Sequence, residues 1–211
     1  EVVIDIIDSP YSNIPSNPKE NTGGVPALCI MDDLNLDFGF NIKIKKGIPL
    51  CGGLGSSAAT AAGVVYGINE LLDKKMSLNT MIKYALEGEK LSSDTPHADN
   101  IGPCIMGGLV LIRDTNSLDL ISIPTNNFVF AIIHPDVKVD TKTARQILPK
   151  KIELKEAVKQ WGNVASLTYG FTSNNIDLIK RSMEDFIIEP VRSKLIPKYG
   201  SIKNAAISNG A

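Results

Sequence analysis

A run of glycine and other small residues, PLCGGLGSSAATAAG over residues 49–63, constrains this chain more than any other stretch. It reads as a strand ending near Ile48, a glycine turn, and a helix starting at Ser56 or Ser57. That sequence of elements can make an anion site from backbone alone. The first amides of a helix have no partner within it, and the helix dipole puts partial positive charge at that end. Gly52, Gly53 and Gly55 let the backbone bend around a large anion, while Ser56 and Ser57 add hydroxyls suited to phosphate oxygens or Mg2+. The lysine of the G-x-x-x-x-G-K-[ST] loop is missing, so many amides and a metal would have to share the charge. Ala58, Ala59, Ala61, Ala62 and Gly63 keep the helix slim for close packing. Taken alone, the stretch fits an anion cradle and a plain tight turn before a core helix equally well.

The helix beginning near Leu78 carries a second signal. Leu78, Met81, Ile82, Ala85 and Leu86 recur at spacings of three and four, which marks a buried stripe. Glu89 is the next position on that stripe, whereas Glu87 falls on the other side with Thr80, Lys83 and Lys90. An inward carboxylate is costly unless it is paired or holds a metal. In the segment that follows, His97, Asp99 and Asn100 are expected in a turn. They could serve as acid or base, amine partner and hydroxyl partner, or they could simply stabilise the turn. Arginine is scarce: Arg113, Arg145, Arg181 and Arg192 are four of 22 basic residues. Arg145 and Arg192 sit in helical segments near proline-bounded turns, and arginine suits bidentate binding of carboxylate or phosphate.

The rest of the chain reads as mixed α and β. EVVIDII (1–7) and the alternation of Phe38, Phe40, Ile42 and Ile44 give strands, as do GGLVLIRD (107–114) and NFVFAIIHP (127–135). VPALCIMDDL gives a short helix, and residues 9–24 a long loop. Further helices start at TKTARQILPK and run on through Trp161, Leu167 and the IDLIKRSMEDF stretch. A domain boundary is expected near residues 122–127. The net charge of -1 argues against nucleic acid or an acidic membrane surface as a partner, and the aromatic residues are too few for a base-stacking platform. No apolar run approaches the ~18 residues of a membrane span. The acidic, alternating start does not resemble a signal peptide. Three scattered cysteines fit a reducing compartment and lack metal-ligand spacing.

PLCGGLGSSAATAAG resembles the phosphate loop of the GHMP kinases. EGEKLSSDTPHADNIGPCIMGG, VDTKTARQILP and EPVRSKLIP together resemble the homoserine kinases within that superfamily, and the likeness runs along essentially the whole chain. The resemblance implies an α+β GHMP kinase fold. A ribosomal-S5-like, ATP-binding domain would cover residues 1–124 and a ferredoxin-like domain residues 125–211. ATP and Mg2+ would be the cofactors. Asn21 would lie near the adenine; Cys51, Gly52, Gly53, Leu54, Gly55, Ser56 and Ser57 would wrap the phosphates; Ser57 and Glu89 would hold Mg2+. His97, Asp99 and Asn100 would line the pocket for L-homoserine. Asp99 would stand near its amino group and Asn100 near the reacting hydroxyl. Thr141 and Arg145 would sit by the substrate and the transferred phosphoryl group, and Arg192 would bind the substrate carboxylate. Asn100, Asp99 and Arg145 are thus the expected catalytic residues.

The chain departs from the family pattern in two places. The family's N-terminal Asn- and Gly-rich motif is absent, and the C-terminal glycine-rich motif breaks off in AAISNGA, with Asn209 where glycine is expected. Both domains are therefore expected to be truncated pieces of a chain of roughly 300 residues, about two domains. The implied activity is ATP-dependent phosphorylation of the homoserine hydroxyl in threonine biosynthesis, in the cytoplasm, with a homodimer left open. Two alternatives stand beside it. One is another GHMP-type kinase acting on a sugar or a mevalonate-type alcohol; the other is a nucleotide-binding relative without catalysis.

Overall fold

The computed structural model describes residues 1–50, 52–91, 97–126, 128–137, 139 and 141–210, with side chains except at 141 and 142. These residues divide into two compact units, Glu1–Ser122 and Ile123–Ala211.

In the first unit, the alternation of EVVIDI and FNIKI produces β1 (Val2–Ile6) and β2 (Phe40–Ile44). They pair in parallel, with Val2 opposite Phe40 and Ile6 opposite Ile44. Parallel neighbours need a crossover, and α1 (Gly24–Asp33) lies within it. Three helices follow: α2 (Ser56–Leu71), α3 (Leu78–Glu89) and α4 (Ala98–Met106). Then β3 (Leu109–Asp114) and β4 (Asp119–Ile123) pair as a second two-stranded sheet. The core lies among these helices and the inward faces of β1 and β2. Ile30, Val65, Ile82 and Ile101 are wholly buried in it, one each from α1, α2, α3 and α4.

The α3 stripe is buried at Met81, Ile82, Ala85 and Leu86, while Leu78 in the first turn is half exposed. Ser77 caps this helix, its Oγ accepting a hydrogen bond from the Thr80 amide at 3.2 Å. Small residues let the helices close on one another. A Cβ added at Gly88 would lie 2.1 Å from the Thr22 carbonyl oxygen and 3.1 Å from the Ala61 Cβ.

The segment carrying His97, Asp99 and Asn100 is a helix, where a turn was expected. His97 precedes α4 in extended backbone, and Asp99 lies in its first turn. Burial of Ala98, Ile101, Gly102 and Ile105 along one face outweighs the glycine and proline in the sequence. Pro103 lacks only the amide that would have met the Asp99 carbonyl, close to the helix start. Gly107, at φ 75°, ends the helix.

The second unit is helical: α5 (Thr141–Gln146), α6 (Leu154–Ser173), α7 (Ile176–Ser182), α8 (Glu189–Arg192) and α9 (Tyr199–Ser208). Asn174 at φ 55° ends α6, and the Asn175 side chain caps α7 by accepting from the Leu178 amide at 3.0 Å. The hairpin is tight because Gly170 faces Ile179, whose Cγ1 would lie 2.9 Å from an added Cβ.

The expected strand over 127–135 is not a strand here. Asn127 lies outside the described residues, and 128–135 pair with no strand among those described. Phe128 packs edge-on against Phe171 at 5.0 Å, but Val129 is 99% exposed and Ile132 68%. Alternation supplies the pattern of a strand; a ladder also needs a neighbour.

A glycine-to-alanine change inside a helix normally stabilises it by about 1 kcal/mol. Gly88→Ala is expected to do the opposite, costing about 1–3 kcal/mol, because the methyl meets backbone that cannot yield cheaply. Gly67→Ala, where the methyl meets nothing within 4 Å, should be neutral or mildly stabilising. Urea midpoints of the two variants check the contrast.

Candidate functional site

Gly55 is the N-cap of α2 and adopts the left-handed conformation, φ 66° and ψ 28°, with no side-chain cap on the helix amides. Gly53 also has positive φ, 70°. The chain thus enters the helix from an unusual direction, and the first amides of α2 keep their positive end open. The Ser56 hydroxyl was expected to face an anion. It is buried and donates instead to the Ile48 carbonyl at 3.0 Å, tying the segment after β2, which ends at Ile44 and not near Ile48 as expected, to the helix start. Ser57, next along, is half-buried.

A lysine missed in the sequence sits beneath this turn. Lys46 is 8% exposed, and its Nζ donates to the Ser56 carbonyl at 2.9 Å and to Thr60 Oγ1. Burial pushes its pKa below the ordinary lysine value. Phe40, Ile42, Ile44 and Lys46 lie two residues apart, so strand alternation would have placed the charge inward. Lys46 also lines a groove of about 490 Å3 between β2 and α2.

The other expected residues of the first unit arrive on α3 and α4. Glu87 is turned toward Lys90, with 2.7 Å between charges. Glu89, at the end of α3, is half-buried with Oε2 buried from solvent. Its neighbour Gly88 abuts Ala61, which lies one turn along α2 from Ser57 on the same face. On α4, Asn100 reaches the loop: a Cβ at Gly55 would lie 2.6 Å from Asn100 Oδ1. Asp99 is exposed and His97 half-buried at the same helix end.

Asn21 is drawn into structure. It is 2% exposed, its Nδ2 donating to the Pro15 carbonyl at 2.6 Å and its Oδ1 accepting from the Gly23 amide at 2.8 Å. The turn it holds packs on α2, where a Cβ at Gly23 would lie 2.8 Å from Val64 Cγ2. Cys51 and the Thr141 side chain lie outside the described residues. In the second unit, Arg192 Nε donates to the Ala144 carbonyl at 3.0 Å, which joins α8 to α5 next to Arg145. Both guanidinium-bearing residues are half-buried.

Among the described residues, no group of three or more His, Cys, Asp or Glu is placed to hold a metal. A hydroxyl and one carboxylate nevertheless suit Mg2+, which commonly keeps waters and substrate phosphates among its ligands. No described helix is long and apolar enough to cross a membrane.

An uncapped α2 behind a glycine loop, with an inward glutamate and the α4 turn beside it, has a counterpart among known proteins. Residues 25–108 match the family model described as the GHMP kinases N terminal domain, and the fold is that of a GHMP kinase. The homoserine kinase of Chlorobium phaeobacteroides (strain BS1) is 39% identical over 205 residues, 94% of this chain and 64% of the relative. The enzyme from strain DSM 266 of that species is 39% identical over 217 residues, covering 100% of this chain and 68% of the relative. A homoserine kinase of Methanococcus maripaludis is 39% identical over 203 residues, 96% of this chain and 67% of its own. The crystal structure of homoserine kinase from Cytophaga hutchinsonii superposes with a TM-score of 0.91 at 43% identity, over 100% of this chain and 67% of that one. The chain belongs to the homoserine kinase family. It spans 64% of the length of the first of these relatives and about two thirds of the others.

Lys46→Met keeps the aliphatic stem and removes the charged donor to Ser56. The expected cost is about 1–2 kcal/mol, the range for a charge-assisted bond partly offset by relief of desolvation. Lys45→Met, whose surface pair with Asp8 is well exposed, should change stability by less than about 0.5 kcal/mol. Denaturant titration of both variants tests this.

Proposed function

We propose that this chain carries the ATP-dependent phosphorylation of the L-homoserine side-chain hydroxyl, giving O-phospho-L-homoserine for threonine synthesis. The observation that carries the reading is the uncapped N-terminus of α2 with Asn100 lying against Gly55. It is a place where a phosphate chain and an alcohol acceptor can meet, in a chain whose relatives are homoserine kinases. In this reading residues 1–124 form the ATP-binding domain, of ribosomal-S5-like type, and residues 125–211 a truncated piece of a ferredoxin-like second domain, whose elements beyond Ile123 are helices among the described residues. ATP and L-homoserine are the partners, in the cytoplasm, with no nucleic acid or membrane required; a homodimer is compatible.

Phosphoryl transfer asks for alignment and charge neutralisation more than for covalent help. Residues 51–57 supply amides to the phosphates, and Lys46 adds its charge to the same helix end. Ser57 and Glu89 would hold Mg2+, which offsets phosphate charge when bound. Asn100 orients the acceptor hydroxyl, and His97 closes that side of the pocket. Asp99 meets the substrate ammonium, Arg192 its carboxylate, and Thr141 and Arg145 the end where the phosphoryl group passes. An aspartate for the amine together with an arginine for the carboxylate selects an amino acid over a sugar or mevalonate-type alcohol. The adenine end falls to the Asn21 turn.

A panel of alcohols with Mg·ATP tests the substrate: turnover of homoserine is expected, and turnover of mevalonate without homoserine would end the proposal. Asp99→Asn should raise the KM for homoserine by roughly 10- to 100-fold, the worth of a charge-assisted bond. It should leave 4-hydroxybutyrate, which lacks the amine, unaffected. Equal losses on both substrates would make Asp99 the base instead.

A further inference from the structure

Gly53 and Gly55 both adopt positive φ, yet their surroundings differ. A Cβ added at Gly53 meets nothing within 4 Å. One added at Gly55 would lie 2.6 Å from Oδ1, 3.1 Å from Cγ and 3.3 Å from Cβ of Asn100. The Asn100 carboxamide therefore rests on the Cα of Gly55. The helix that delivers it is firmly seated: Ala98, Ile101 and Ile105 are buried, and Gly102 admits Leu120 so closely that an added Cβ would lie 2.6 Å from Leu120 Cδ2.

An N-cap ordinarily has extended backbone, whereas Gly55 is left-handed. That conformation sets the direction in which the loop leaves α2, and so the space onto which the amides of residues 56–58 open. Glycine by itself visits both signs of φ about equally. A side chain from a fixed helix lying on its Cα removes part of that freedom, and at no other positive-φ glycine of the loop among the described residues is there such a neighbour.

Resting on the kinase reading above, we infer that Asn100 is a positioning residue for the phosphate loop as well as a neighbour of the acceptor hydroxyl. It braces Gly55 in the left-handed state that aims the α2 amides at the nucleotide's phosphates. Because it acts through Gly55, it tightens ATP before any acceptor is present; a contact with homoserine alone would not.

Calorimetric binding to the whole chain without homoserine tests this, using wild type, Asn100→Ala, Gly55→Ala and the double variant, with melting curves for each. Asn100→Ala is expected to weaken ATP roughly fivefold to tenfold, the scale of one lost hydrogen-bond-sized contact, and to leave adenosine binding unchanged. Gly55→Ala should weaken ATP further, because its methyl strikes the carboxamide. The double variant should bind ATP more tightly than Gly55→Ala alone, though short of Asn100→Ala, since alanine still resists positive φ. Unchanged ATP affinity in Asn100→Ala, or a double variant no tighter than Gly55→Ala, overturns the brace. Equal losses for ATP and adenosine overturn it as well, by reducing the effect to a general loss of folding. Failure of the wild-type chain to bind ATP at all is a separate outcome, which removes the kinase reading and the brace with it.

Discussion

A buried ammonium group under the first turn of α2 holds the site in register. Lys46 leaves water to donate to the Ser56 carbonyl and the Thr60 hydroxyl, and the Ser56 hydroxyl in turn reaches back to Ile48. An isolated buried charge would be untenable; here charge-assisted bonds offset the loss of hydration. The segment that follows β2 and the helix start are thereby fixed to each other from below. The intervening loop is then free to carry Gly52, Gly53 and Gly55. The lysine that the loop itself lacks is present, but as a foundation under the helix.

Close approach does the remaining assembly. Three glycines mark the contacts: Gly55 under Asn100, Gly88 against Thr22, and Gly102 beneath Leu120. Two of them seat elements that carry expected functional groups. Gly88 seats the end of α3 and so Glu89; Gly102 seats α4 and so Asp99 and Asn100. Residues far apart in the chain converge on α2 because its first turns are almost all alanine, serine and glycine. In the second unit the Arg192 bond to the Ala144 carbonyl brings Arg192 beside Arg145.

Much of this was legible in the sequence where periodicity and chemistry disagreed. Glu89 stood on an apolar stripe and does turn its Oε2 inward. Lys46 continues the apolar alternation of β2 just past its end, and its charge lies outside the loop in which a phosphate-binding lysine ordinarily stands. The α4 helix was less legible. Its glycine and proline resemble turn signals, and burial against α2, α3 and β3 decides for helix. Asn21 gave no sign of the local work its carboxamide does, since such bonds depend on how residues 15–24 fold back. Over 128–135 alternation foretold a strand that is not formed, because whether a segment pairs is decided elsewhere in the molecule and is invisible in the segment itself.

A grip made of peptide amides has one further property. Peptide N–H groups neither gain nor lose protons over the range in which imidazoles and carboxylates change state. The open end of α2 would therefore keep its polarity as acidity varies, which leaves the protonation of a bound anion itself as the variable in that contact.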